Sequence, residues 1–179
     1  YYLMDMDAEK VPVGSNRLIY LPYLMGERSP HNDVNARGAF LGMRPDTTRK
    51  QMTLAVLEGV TFALKDCVEI AKGNGVNISS TRICGGGAKS ALWRQIVADV
   101  LNIPVERPCV EEGPAYGAAM LAMVGCGEYE SVEQAAEKLV RVSCVTSPDP
   151  ARAALYAKRY AVFCTLYPAL KESFALMNA

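Results

Sequence analysis

Residues 84–90, Cys-Gly-Gly-Gly-Ala-Lys-Ser, are the part of this chain best suited to hold a charged ligand. Glycines lack a Cβ, so the main chain can approach a ligand closely and adopt φ > 0, and the N–H groups that open a helix attract anions. The flanks suit that use: Thr81 to Cys84 reads as a short buried strand, and the residues after Ser90 as an amphipathic helix. Strand, bare turn and helix start make a seat for the phosphate or ribose of a nucleotide. The plainer reading is a tight strand-to-helix turn, which needs fewer glycines than the three found here.

Two other motifs compete for these residues. A phosphate loop of the Walker type needs glycines where this chain has Ile83 and Ala88, so its Lys89-Ser90 ending is a superficial match and is set aside. A dinucleotide fingerprint is closer. Gly85 and Gly87 have its spacing and Glu106 lies at the right distance for a ribose carboxylate, but Ser90 stands where helix packing asks for a third glycine. Lys89 reads either as a phosphate ligand or as a solvated side chain at a helix start.

Other reactive side chains are sparse. His31 is the only histidine, and no serine or cysteine motif beside it suggests a nucleophile. Glu27 and Arg28 sit in a polar loop, where they face a cleft or form a structural ion pair; the second is the expectation. The six cysteines, at 67, 84, 109, 126, 144 and 164, form no Cys-x-x-Cys pair, so neither a metal site nor a disulfide framework is expected. They read as small buried hydrophobes in a reducing compartment.

The elements that must position the turn follow from periodicity. Tyr1 to Lys10 reads as the end of a helix, Pro12 to Asn16 as a turn, Leu18 to Leu24 as a strand, and Ala39 to Met43 as a short segment between glycines. Pro45-Asp46-Thr47-Thr48 starts a helix that runs to Lys72, with Met52, Val56, Val60, Ala63, Cys67 and Ile70 as its apolar stripe, and Gly73-Asn74-Gly75 stops it. After the glycine turn, Trp93, Ile96, Val97 and Val100 line the inner face of a helix, with Trp93 expected in the core. Val105 and Glu106 begin the next strand. Strand, helix, strand predicts parallel strands with a ligand at their carboxyl ends.

Glu111-Glu112-Gly113-Pro114 opens another helix, thin because of Ala115, Gly117, Ala118 and Ala119. Residues 131–140 form a short helix with a Ser131-to-Gln134 capping pattern. The final helix starts at Asp149-Pro150 and carries a stripe from Tyr156 to Met177. That stripe docks on the domain or forms a homodimer seam, with Pro168 expected to bend it.

Several runs together carry a family resemblance. Leu21-Pro22-Tyr23-Leu24-Met25-Gly26-Glu27-Arg28-Ser29-Pro30-His31, the segment Gly38 to Met43, and Gln51-Met52-Thr53-Leu54-Ala55-Val56-Leu57-Glu58 after a seven-residue spacer resemble the FGGY carbohydrate kinases. The glycine turn with Trp93-Arg94-Gln95, and Glu112 to Ala119, follow in that family's order, so the resemblance covers roughly residues 18 to 125. It implies an α/β, actin/Hsp70-like (RNase H-like) ATPase lobe with a mixed sheet flanked by helices, residues 1–179 being the C-terminal, ATP-binding lobe and 149–179 its packed terminal helix. It implies ATP with Mg2+ carried by the nucleotide. Gly85, Gly86, Gly87 and Ala88 would lie against adenosine or the α-phosphate, Ser90 would help hold base or ribose, and Lys89 is within reach of a phosphate. Some relatives have an asparagine near Ala91 that contacts adenine; this chain does not.

The resemblance also places the first phosphate loop, most sugar contacts and the general base on an N-terminal lobe that these residues do not include, so no catalytic residue is assigned. The acceptor it implies is D-xylulose, voted for by the Gly-Glu-Arg-Ser-Pro-His loop, with ribulose, gluconate, glycerol and fuculose as alternatives. The 179 residues carry 19 basic and 19 acidic side chains, which is no basic field for nucleic acid. No apolar run reaches the roughly 18 residues of a membrane span. A single cytosolic domain is the expectation.

Overall fold

The computed structural model describes residues 2–110 and 113–178. Glu111 and Glu112, expected at a helix start, lie outside the described residues. The chain opens with helix α1 (Tyr2–Ala8), followed by an antiparallel ribbon of β1 (Ile19–Leu21) and β2 (Ala39–Leu41), in which Tyr20 faces Phe40. Helix α2 (Arg49–Gly73) crosses that ribbon. Its start is fixed by a full capping box, in which Thr48 Oγ1 accepts from Gln51 N–H and the Gln51 side chain accepts from Thr48 N–H.

The buried face of α2 is not the stripe expected from its apolar residues. Leu54, Ala55, Glu58, Gly59, Thr61 and Phe62 face inward, while Leu64 and Ile70 are about half exposed. Two special contacts rotate the helix onto that face. At Gly59 the helix meets strand β1 so closely that a Cβ would lie 2.2 Å from the Tyr20 carbonyl oxygen. At Glu58 a buried carboxylate accepts from Gly14 N–H (2.8 Å), Ser15 Oγ (2.6 Å) and Tyr156 OH (3.0 Å). A glycine and a glutamate therefore occupy the centre of the inner face, where apolar counting finds nothing.

Strand β3 (Thr81–Arg82), helix α3 (Ala91–Leu101) and strand β4 (Val105–Pro108) form the expected crossover, with β3 and β4 parallel and Thr81 beside Val105. A third strand, β5 (Val142–Thr146), pairs antiparallel to β4 and makes the sheet mixed, in the order β3-β4-β5. Sequence reading passed over β5. Its signal was the β-branched pair Val145-Thr146 with Val142, a run short enough to resemble a linker.

Helix α4 (Gly113–Gly125) buries no residue and leans on α5 (Val132–Leu139), where Tyr116 OH donates to the Leu139 carbonyl. The Ser131 hydroxyl caps α5 by accepting from Gln134 N–H; the Gln134 side chain accepts from Glu130 N–H rather than closing a capping box. Helix α6 (Pro150–Met177) continues through Pro168 and packs Tyr156, Phe163, Tyr167 and Phe174 into the core, so the stripe lies inside the chain. Met177, at the stripe's end, is 73% exposed.

All six cysteines are free, and none is buried: Cys67 and Cys144 are half-buried, the other four exposed. That corrects the expectation of buried thiols. Cys164 lies on an outward face of α6, Cys126 in the turn just after α4, and Cys84 and Cys109 just beyond strand ends.

Candidate nucleotide site

The glycine turn lies at the carboxyl end of β3, as expected, but it does not run straight into α3. Gly85, with φ 79° and ψ −170°, turns the chain into a 3-10 turn over Gly86–Lys89, and Ser90 then caps α3 by accepting from Trp93 N–H at 3.0 Å. The helix N-terminus is thus partly used by its own cap. The turn uses Ala88 N–H on Gly85 C=O and Ser90 N–H on Gly87 C=O. Gly86 and Gly87 are the first donors of the turn, and such donors have no acceptor within it.

The three glycines meet different demands. Gly85 needs its conformation, which side chains other than hydrogen rarely adopt. Gly87 needs its lack of bulk, because the Trp93 ring lies over it and a Cβ there would sit 1.9 Å from Cζ3. Gly86 meets neither constraint: its φ is ordinary, and among the described residues a Cβ there would have nothing within 4 Å. Folding explains two glycines of the three, and the space beside the third is open.

That space is a cavity of about 670 Å³, within the range of small-molecule sites. From the turn it is lined by Gly86, Gly87, Lys89 and Ser90, four of the six residues singled out from sequence. Gly85 and Ala88 do not line it; Ala88 is buried, and its carbonyl accepts from Arg94.

Among the described residues the remaining walls are Leu57 of α2, Trp93 of α3 and Asp5 of α1, none of which sequence reasoning had assigned to a site. Trp93 was expected in the core, and it does pack against both hydrophobic clusters flanking α3, yet one surface faces the cavity. Its indole N–H donates to Thr61 Oγ1 at 3.0 Å, and Thr61 in turn donates to the Leu57 carbonyl at 2.7 Å. This chain of bonds fixes the ring as a rigid wall.

Glu106, the carboxylate a dinucleotide fingerprint would direct at a ribose, instead takes Arg82 Nε at 3.0 Å across the parallel strands. Glu27 does not pair with Arg28. Its carboxylate accepts from the backbone N–H groups of Ser29 (2.7 Å), His31 (2.7 Å) and Asn32 (3.2 Å), so it shapes the loop from within. His31 stacks on Tyr167 with centroids 3.8 Å apart.

Fold and cavity define a mixed α/β domain with a ligand-sized recess where a parallel strand ends. A profile described as "FGGY family of carbohydrate kinases, C-terminal domain" matches residues 2–126, and the chain belongs to that family. The xylulose kinase of Staphylococcus epidermidis is 38% identical over 165 residues, which are 92% of this chain and 33% of that protein. The crystal structure of ligand-bound xylulose kinase from Lactobacillus acidophilus superposes with a TM-score of 0.90 at 31% identity, over 97% of this chain and 35% of that one. Gluconate kinase from the same organism gives 0.89 at 31% identity, with the same coverage. These neighbours have the actin/Hsp70-like ATPase fold. The chain spans about a third of the length of the curated relatives it matches.

Proposed function

We propose that this chain is the nucleotide-binding part of a kinase that transfers the γ-phosphoryl group of ATP to a sugar hydroxyl, with D-xylulose as the acceptor. The observation that carries the reading is Gly86: a glycine that the fold does not require, bordering a nucleotide-sized cavity, in a chain of the FGGY family. The amides of Gly86 and Gly87 and the Lys89 ammonium favour phosphate at that wall, while Ser90 offers a hydroxyl to the nucleoside. Trp93 and Leu57 supply apolar surface for the base. Gly85 and Ala88 act behind them, by setting the backbone of the turn. Mg2+ enters with the nucleotide, held by its phosphates, and shields their charge.

Phosphoryl transfer depends on positioning and charge stabilisation more than on covalent chemistry by the protein. This chain contributes the donor's position. The carboxylate that activates the sugar hydroxyl is assigned to the sugar-binding lobe of the whole enzyme, so residues 1–179 by themselves are expected to bind nucleotide and phosphorylate nothing. The cytosol suits a chain whose six cysteines are unpaired.

The fold does not separate sugars, because a xylulose kinase and a gluconate kinase superpose on the chain equally well. Xylulose is favoured by curated xylulose kinases that are 38% identical to the chain over 165 residues. ADP release by the full-length enzyme against xylulose, ribulose, gluconate, glycerol and fuculose tests the choice. Turnover of gluconate without xylulose would replace the acceptor, and no ATP-dependent turnover of any of them would remove the kinase reading.

A further inference from the structure

We infer that Asp5 is the residue that grips the nucleoside half of the bound nucleotide, accepting a hydrogen bond from a ribose hydroxyl or an exocyclic base amine. This rests on the nucleotide reading above and adds the orientation of the ligand.

Among the described residues that line the cavity of the glycine turn, Asp5 is the one acidic side chain. Among the described residues its carboxylate has no hydrogen-bond or ion-pair partner; its backbone carbonyl accepts from Glu9 N–H in the ordinary helical way. Asp7, two residues on, behaves differently. It faces away from the cavity lining and pairs with Lys50 at 3.0 Å and Lys10 at 3.8 Å. That ion pair and the fully buried Ala8 tie α1 to the rest of the chain, which holds Asp5 at a defined place on the cavity wall.

Asp5 and Lys89 line the cavity with opposite charges. Two like charges 4 Å apart repel by about 4 kcal/mol at an effective dielectric near 20, so a polyphosphate is driven from Asp5. A nucleoside, in contrast, offers neutral O–H and N–H donors that an ionised carboxylate accepts strongly. The cavity is thus polarised: phosphates at the glycine amides and Lys89, nucleoside donors at Asp5, apolar Leu57 and Trp93 for the base.

The test is nucleotide titration of the full chain, followed by the fluorescence of Trp93, the only tryptophan. Wild type, Asp5→Asn and Asp5→Ala are compared with ATP, 2′-deoxy-ATP, 3′-deoxy-ATP, inosine triphosphate and inorganic triphosphate. Both variants are expected to bind ATP about tenfold more weakly, the loss that follows removal of a charged hydrogen bond. The loss should vanish for the analogue that lacks the donor, a deoxy compound for a ribose contact or the inosine compound for an amine contact. Inorganic triphosphate should bind the variants at least as well as wild type. Equal ATP affinity in all three proteins would overturn the role of Asp5 and leave nucleotide binding standing, and so would one uniform loss across every analogue. Absence of ATP binding by wild type would overturn both.

Discussion

The Trp93 ring occupies the space that a Cβ on Gly87 would need, and Gly86 next to it has open cavity instead. The two glycines should therefore respond differently to the same added methyl. Gly87→Ala must displace the indole and break its bond to Thr61, an overpacking cost of about 1–3 kcal/mol that also shifts tryptophan emission. Gly86→Ala should melt within a few degrees of wild type and lose nucleotide affinity. Thermal melts and titrations of both variants check this; equal loss of stability would remove the distinction between a structural and a ligand-facing glycine.

Glu58 and Tyr156 join α2 to α6 through a buried polar contact. Tyr156→Phe removes one donor to a carboxylate and should cost about 1.5–3 kcal/mol in urea unfolding. Burial pushes the Glu58 carboxyl above its ordinary value of 4.5, against the lowering effect of Ser15, Gly14 and Tyr156. The folded state then binds this proton more tightly than the unfolded state, so the Glu58 contribution rises as pH falls from the raised value toward 4.5 and weakens as pH rises. Glu58→Gln should flatten that part of the stability profile while lowering stability overall.

Arg17 holds a left-handed backbone, φ 71°, as the third such residue in a row after Ser15 and Asn16. It also sits close enough to Arg159 to disfavour that guanidinium's charge, though burial of Arg159 is the larger cause. Replacing a strained side chain by glycine relieves both effects and costs some unfolded-state entropy. Arg17→Gly should gain about 0.5–1 kcal/mol, read as a higher urea midpoint with an unchanged m-value.

Asp99 is fully buried and ties α3 to the start of α6. Its Oδ1 accepts from the Gln95 amide and from Asp149 N–H, both at 2.8 Å, and its Oδ2 lies 2.8 Å from Arg152 Nε, an ion-pair distance without hydrogen-bond alignment. Asp99→Asn should destabilise by about 2–3 kcal/mol, less than for a wholly buried pair because Arg152 is one-third exposed. Hydrogen exchange should then rise first at the start of α6, where Asp149 caps the helix.

Local signals in the sequence were reliable where a few adjacent residues carried the physics. The helix start at Pro45 to Thr48, the Asp149-Pro150 start, the crossover from β3 through α3 to β4, and the aromatic side of α6 were all legible, because capping and apolar periodicity act within a turn or two. The glycine turn was legible too. Its division of labour was not, since the constraint on Gly87 comes from the ring of Trp93 and no spacing rule announces which way that ring faces.

The amino-acid sequence by itself determined the family, the mixed α/β class and the segment 85–90 as the place to look for a ligand, since these depend on residue types at short range. Tertiary structure alone decided which face of α2 is inside, because Gly59 and Glu58 matter only through Tyr20 and Tyr156, distant along the chain. It likewise brought Asp5, Leu57 and Trp93 from three helices to one cavity. A wall built by packing between remote segments leaves no periodic trace in any one of them.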